Sequence, residues 1–381
     1  MRFGDVKRRW YNRRTGEGNW GARMATDERR VPAEELRDVC ESIFERCGML
    51  PDDARLVAES LVEADLGGVH SHGVIRVPEY ARKLAVGGVN PRGRPAVVRD
   101  AGAALVVDGG NSMGQIGAAF AMDRAIERAR VTGVSAVAVR GSNHCGALGF
   151  VAARALLQDQ IGLVTTNALP TMAPFGGAER ILGINPLAVA VPSADEPPIV
   201  YDAAFSASSH GKIRVYQQKG IPLPEGWALD ERGSPTTDPA AAIDGLLQPI
   251  GGFKGAGLAM VMGIMASLLS GAAYGAELGD MHAGPRAGTD GHFVMAIDVV
   301  AFEDVGRFKA RVDAAIRQVR ECRRAPGVER TYSPGEREHL ARQAYRRDGI
   351  PLNLVTLGDV ARTAGALGVD ASARTWLAGL G

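Results

Sequence analysis

Cysteine is scarce in this sequence: Cys40, Cys47, Cys145 and Cys322 are the only four in 381 residues. They show neither the paired spacing of a thiolate metal site nor the density of a disulfide scaffold, so both are excluded and a reducing, cytoplasmic setting is expected. Charge of one sign is also missing, since 44 Lys and Arg face 43 Asp and Glu for a net +1. Aromatic residues make up only 6% of the chain, and no basic stripe interleaves with them. Such a surface attracts neither nucleic acid nor an anionic membrane, which leaves a small molecule as the expected ligand. Long hydrophobic runs are absent but for residues 255–276, which carry no charge. That stretch is built of Gly, Ala, Ser and Met more than Leu, Ile or Phe, lies between Lys254 and Glu277, and has no counterpart. It reads as a helix buried against a sheet rather than a membrane span.

What is present suits a sizeable core: 46% hydrophobic and 23% charged residues, in a length that accommodates two domains. Residues 1–23 carry Arg2, Lys7, Arg8, Arg9, Arg13, Arg14 and Arg23 with almost no apolar run, so they lack the core of a secretory signal. They are expected to be a disordered or non-native extension, Met24 standing just before the first helical pattern.

Helical patterns follow from Pro32 to Gly48, from Pro51 to Gly67 and Gly68, and from Arg76 to Ala85. From Ala103 short β-rich runs alternate with helical ones: 104–108, 134–140, 161–166, 187–192 and 199–202, with a last strand at 292–299. The intervening helices, 115–130, 147–158 and 255–270, are expected to cover a largely buried sheet. After Phe302 the pattern is helical again, with Thr356 as the expected N-cap of a last helix to Leu367. The expected architecture is an α/β domain over 101–302 inserted in a mainly helical domain formed by 24–100 and 303–381.

Polar chemistry concentrates in four places. His70-Ser71-His72-Gly73, followed by Arg76 and Tyr80, lies where a glycine pair has ended a helix. An imidazole beside a hydroxyl and one turn from a guanidinium can exchange a proton, while the guanidinium holds a carboxylate by a two-pronged contact. His70-x-His72 also raises a metal-dependent hydrolase, although residues two apart share a face on a strand and this pair lies between helices. The second place is Arg140-Gly141-Ser142-Asn143-His144-Cys145-Gly146-Ala147-Leu148-Gly149, a strand, loop and helix start whose glycines allow close approach of a phosphate or nicotinamide. It is not G-x-G-x-x-G, and neither is 109–114, so a dinucleotide site here is not the standard βαβ kind. His210-Gly211-Lys212 and Gly251-Gly252-Phe253-Lys254-Gly255 are the third and fourth, and neither is a P-loop, Ile213 or Gly255 replacing the Ser or Thr that must follow the lysine. Pro334-Gly335-Glu336 by itself argues only a helix start.

In this order these motifs, with Ala64-Asp65, Phe175-Gly176-Gly177, Gly183-x-Asn185-Pro186-Leu187, Asp202, and Gly226-Trp227, resemble the second type of malate/L-lactate dehydrogenase. That family includes ureidoglycolate, sulfolactate and diketogulonate enzymes and cyclic-imine reductases, and the likeness spans about 31–368. The resemblance implies a homodimer with a non-Rossmann mixed-sheet domain binding NAD or NADP, no metal, and hydride transfer to or from a small 2-hydroxy, 2-oxo or 2-imino acid. It implies that His72 or His144 is the acid/base, with Ser71 its hydroxyl partner and Arg76 the carboxylate anchor, and it places Tyr80, Ile184 and Lys212 on the substrate side. It implies cofactor contacts from His144, Cys145, Gly146, Ala147 and Leu148, from Asp202, Ala203 and Ala204, from Lys254, and from Pro334, Gly335 and Glu336.

Two positions depart from the family pattern. Ile184 stands where Thr is usual, replacing a hydroxyl by an apolar wall, which costs a polar substrate group a hydrogen bond of ~1 kcal/mol. Asp202-Ala203-Ala204-Phe205-Ser206 replaces Asp-Met-Ala-Thr-Ser and keeps the acidic residue. The alternatives are the hydrolase using His70 and His72, and a nucleotide-binding protein that has lost catalysis.

Overall fold

The computed structural model describes residues 28–278, 288–370 and 376, so the expected extension 1–23 lies outside them. Strand β1 (Glu28–Val31) leads to helices α1 (Ala33–Arg46) and α2 (Pro51–Leu66). Leu36, Val39, Cys40, Ile43 and Phe44 recur at helical spacing and are all buried. Two single-turn 3-10 segments, His70–His72 and Val74–Arg76, then open α3 (Val77–Ala85). Next come β2 (Ala96–Ala101), β3 (Ala104–Asp108), α4 (Gly114–Thr132), β4 (Val134–Ser142), the short α5 (Leu148–Ala152) and β5 (Gln160–Thr166). Strands β6 (Pro170–Met172), β7 (Leu182–Gly183), β8 (Leu187–Val191) and β9 (Ile199–Ala203) precede α6 (His210–Lys219), β10 (Ala228–Leu229) and β11 (Pro235–Thr236). Helix α7 (Pro239–Asp244), β12 (Leu246–Leu247), α8 (Phe253–Ala266) and β13 (Asp290–Asp298) follow. The chain ends with α9 (Val305–Glu321), α10 (Glu336–Asp348), β14 (Ile350–Asn353) and α11 (Leu354–Ala366).

The central sheet has the order β2-β3-β4-β13-β5-β8-β9. Only β3 and β4 run parallel in it, every other neighbouring pair being antiparallel. A Rossmann sheet needs successive parallel strands, so this is a mixed, non-Rossmann α/β domain. Its core joins Leu105, Val107, Met122, Val137, Val139, Leu148, Val164 and Val294. A second sheet, β11-β10-β12-β6-β7, was not legible from alternation, since four of its five strands have two residues. It carries its own core with Met172, Leu182, Phe205, Ile213 and Leu247.

The two ends of the chain close a third core. Strand β1 pairs antiparallel with β14, and residues of α1–α3 pack with Ile350, Leu352, Leu357, Val360 and Trp376. The α/β segment is thus inserted in a mainly helical domain. Helix α9 is fastened to the α/β side: Asp313 accepts from the backbone N–H of Ala194, Asp195 and Glu196, and Lys309 meets Asp159 at 2.8 Å.

Two local expectations are corrected. The cap of α11 is Asn353, whose side chain accepts from the Thr356 N–H at 2.8 Å, so the helix starts before Thr356. Most of the uncharged stretch lies in α8, but within that helix only the small residues Gly255, Ala256, Ala259, Gly263 and Ala266 are buried. Leu258, Met260, Val261 and Ile264 project outward, 47%, 52%, 50% and 37% exposed. Small side chains allow the helix axis close to the sheet, and the larger ones are left on the far face. No helix among the described residues is long and apolar enough to cross a membrane.

Candidate active site

The loop after α2 is shaped by one buried carboxylate. Asp65, 1% exposed, accepts from the Val74 N–H and faces His70 Nδ1, both at 2.7 Å. Gly73 lies against it so closely that a Cβ there would sit 2.2 Å from the carboxylate. Burial raises the Asp65 pKa, while the bonds from His70 and Val74 pull it down. This bracing turns Ser71 and His72 outward from a rigid corner. His70 faces the other way, its ring stacked on Tyr345 with centroids 6.3 Å apart.

Helix α3 extends the same wall. Arg76, Glu79, Tyr80 and Lys83 recur at i, i+3, i+4 and i+7, which puts them on one face. Glu79, Tyr80 and Lys83 are 7%, 1% and 4% exposed. The Arg76 guanidinium donates to the Ser71 carbonyl at 2.9 Å and to Glu79 at 2.8 Å, which uses two of its donors and leaves three N–H groups for a ligand. The Ser71 hydroxyl lies 3.0 Å from His72 Nδ1.

The opposite wall comes from the central sheet. Strand β4 ends at Ser142, and the loop after it delivers His144 to the first wall. The rings of His72 and His144 stack at 5.6 Å with an interplanar angle of 15°. The Tyr80 hydroxyl is 2.7 Å from His144 Nδ1. Two segments distant in sequence therefore meet as the motifs required. Burial first, and the Arg76 charge second, push His72 down to about 4. Burial, then the charges of His72, Arg76, His292 and Lys83, hold His144 well below the ordinary histidine range. Both imidazoles rest neutral at physiological pH.

Three of the segments expected to contact a cofactor are tied together. Asp202, at the end of β9, accepts from the Gly149 N–H at 2.7 Å, which joins the 144–148 loop to the strand end Asp202–Ala204. Burial lifts the Asp202 carboxyl to about 6 against that amide's pull. Pro334 accepts from the Val200 N–H at 3.1 Å, and a Cβ on Gly335 would lie 2.8 Å from the Val200 carbonyl. Glu336 is bound to Ser333, Arg320 and Arg330 within the protein. Ile184 accepts from Phe205 N–H at 3.0 Å, just past Ala204. Lys254 opens α8, and the Lys212 ammonium lies 6.0 Å from the Trp227 ring centre. The loop places no positive charge against a nicotinamide and allows its close approach: Gly146 has φ +74°, Ala147 and Leu148 are apolar, and burial pushes the Cys145 thiol up to about 12, so it carries no charge.

Four polar residues beside the site had no sequence signal strong enough to single them out. Gln115, fully buried in the first turn of α4, donates to the Tyr80 hydroxyl at 3.3 Å. His292 is clamped between Thr166 and Ser142, 2.8 Å from each, and burial takes it down to about 4. Burial lifts Asp290 to about 6 against the pull of the Lys83 charge. For Lys83 the one cue the sequence held was its place as the next position on the helical face of Arg76 and Tyr80.

Comparison with known proteins shows which family the chain belongs to. The family model described as malate/L-lactate dehydrogenase matches residues 31–361. A malate dehydrogenase of Pyrococcus abyssi is 36% identical over 352 residues, 90% of this chain and 96% of the relative. A Delta(1)-pyrroline-2-carboxylate/Delta(1)-piperideine-2-carboxylate reductase of Pseudomonas putida is 33% identical, covering 84% and 93%. The solved sulfolactate dehydrogenase from Methanocaldococcus jannaschii superposes with a TM-score of 0.84 at 34% identity, covering 90% of this chain and 98% of that one. The hydrolase alternative is overturned by these relatives and by His70, which Asp65 turns away from His72. The non-catalytic alternative is set aside by the same relatives, the paired imidazoles and the arginine being all in place. The chain therefore belongs to the malate/L-lactate dehydrogenase family and is an oxidoreductase of the kind that works with a nicotinamide cofactor.

Proposed function

We propose that the protein transfers a hydride between NAD or NADP and a small 2-hydroxy or 2-oxo acid, or its 2-imino counterpart, in the cytoplasm. The observation that carries this reading is the stacked His72–His144 pair beside the Arg76 guanidinium. Arg76 holds the substrate carboxylate through its remaining N–H groups, fixing the 2-carbon against the imidazoles. In the oxidative direction neutral His72 takes the proton from the 2-hydroxyl, while Ser71 orients its ring through Nδ1. In the reductive direction it returns that proton to the 2-oxygen. The nicotinamide supplies hydride acceptance or donation when bound. The 144–148 loop, Asp202 to Ala204, Lys254 and the segment 334–336 would hold that cofactor.

The electrostatics make His72 responsive to substrate. Arg76 contributes to its depressed pKa, so a carboxylate placed on Arg76 offsets that charge and raises the affinity of His72 for a proton. Protonation and substrate binding are thereby coupled. The exposed apolar face of α8, with Leu268 and Leu269 beyond it, supports a homodimer, because a contiguous apolar face of this kind on a folded chain marks an interaction surface. A panel of 2-oxo acids and cyclic 2-imino acids with each reduced cofactor tests the reading by loss of nicotinamide absorbance. Failure of every pair refutes it.

A further inference from the structure

The two stacked histidines differ in what holds their Nδ1 atoms. The partner of His72 is the Ser71 hydroxyl, which can donate or accept, so this ring can change its protonation without breaking the contact. His144 is held differently. Its Nδ1 accepts from the backbone N–H of Gly146 at 3.3 Å and faces the Tyr80 hydroxyl at 2.7 Å. An amide N–H can only donate, so Nδ1 carries no proton and the ring hydrogen is on Nε2. The Tyr80 hydroxyl is directed the same way, because Gln115 Nε2 donates to its oxygen at 3.3 Å and leaves the phenolic proton for His144. Tyr80 and Gln115 are 1% and 0% exposed, so water does not replace either bond.

We infer that Gln115 and Tyr80 are positioning residues that, with the Gly146 amide, lock His144 in its Nε2–H form. His144 is then a fixed hydrogen-bond donor to the substrate's 2-oxygen, and the mobile proton belongs to His72. The inference rests on the dehydrogenase reading for the identity of that oxygen, but the lock itself is a property of the free protein. Protonating Nδ1 would set two N–H groups against each other, so the lock also opposes imidazolium formation at His144. The chain Gln115, Tyr80, His144 runs from the first turn of α4 through the buried face of α3 to the sheet loop, joining the two walls of the cleft.

The test is a long-range proton–nitrogen correlation spectrum of protein carrying 15N-labelled histidine, with His144 assigned by its loss in His144→Asn. The expected result is a protonated Nε2 and a bare Nδ1 throughout pH 6 to 8, while in Tyr80→Phe, where only the longer 3.3 Å contact from Gly146 still holds Nδ1, the second tautomer appears beside the first. In the same variant kcat for 2-oxo acid reduction falls about tenfold, the effect of one lost buried hydrogen bond, with KM nearly unchanged. A protonated Nδ1 in the wild type, or a His144 titration centred near 6.5, overturns the inference. An unchanged tautomer and an unchanged kcat in both Tyr80→Phe and Gln115→Met overturn the role of those two residues. Absence of any reductase activity would refute the dehydrogenase reading instead, and the ring-nitrogen spectrum would still decide the lock.

Discussion

Replacing Arg76 by methionine keeps most of the side chain's bulk and removes its charge, so it separates the two tasks assigned to this residue. A charge-assisted contact to a carboxylate contributes ~1.5 to 3 kcal/mol, and a two-pronged one lies at the upper end. Taking ~3 kcal/mol, kcat/KM for the 2-hydroxy acid should fall roughly 150-fold, chiefly through KM. The second effect is electrostatic. Arg76 is the second cause, after burial, of the low His72 pKa of about 4, and its loss leaves burial alone. Removing a neighbouring like charge should raise the proton affinity of His72 roughly tenfold. The acid limb of kcat/KM for oxidation, which reports the free base, should move upward by about one pH unit. Glu79 is buried, so loss of its pair with the partly exposed Arg76 should cost about 2 to 3 kcal/mol of stability, checked by thermal unfolding. Initial rates from pH 3.5 to 8 with both proteins give both readouts. An unchanged KM would refute the carboxylate clamp, and an unmoved acid limb would refute the coupling to His72.

Three further outcomes follow from the geometry. Gly73→Ala should destabilise the fold by about 3 kcal/mol or more and abolish turnover, since its Cβ would lie 2.2 Å from the Asp65 carboxylate; an unaltered melting temperature would contradict this. His292 stays neutral in the fold down to about 4 but would titrate near 6.5 when unfolded, so its contribution is complete above pH 6.5 and is lost as pH falls toward 4. The stability advantage of wild type over His292→Asn, measured by urea unfolding, should therefore shrink by about 2 kcal/mol between pH 7.5 and 5, whereas a constant difference would mean that His292 is not neutral. Val261→Asp, on the exposed face of α8, should convert a dimer to a monomer in light scattering without unfolding it, and a monomeric wild type would remove the proposed dimer.

Much of this structure was legible because its chemistry is local. Glycine-ended helices, the apolar strands of the central sheet and the motif around Ser71, His72 and Arg76 each carry their signal within a few residues. The order of the sheet was not legible. Strand β13 inserts between β4 and β5 from about 150 positions along the chain, a pairing set by tertiary packing rather than by pattern. The small second sheet escaped because two-residue strands show no alternation. In α8, composition indicated burial but hid the split between small and large side chains, which only the helix's orientation reveals. At the site, Ser71, His72, Arg76 and His144 stood out as polar residues in glycine-rich loops. Gln115 and His292 did not, because a single polar residue inside an apolar helix or strand shows its function only through its partners.

The central claim is that His72 carries the proton of a nicotinamide-linked reaction on a 2-oxygen or 2-nitrogen. Its most direct test compares wild type with His72→Ala in a 2-oxo and 2-imino acid screen with both reduced cofactors, alongside binding of the cofactor measured by its fluorescence. The account predicts acid-dependent oxidation of the nicotinamide by wild type, and in the variant no turnover with cofactor binding retained. Turnover preserved in His72→Ala would contradict the account and transfer the proton to His144.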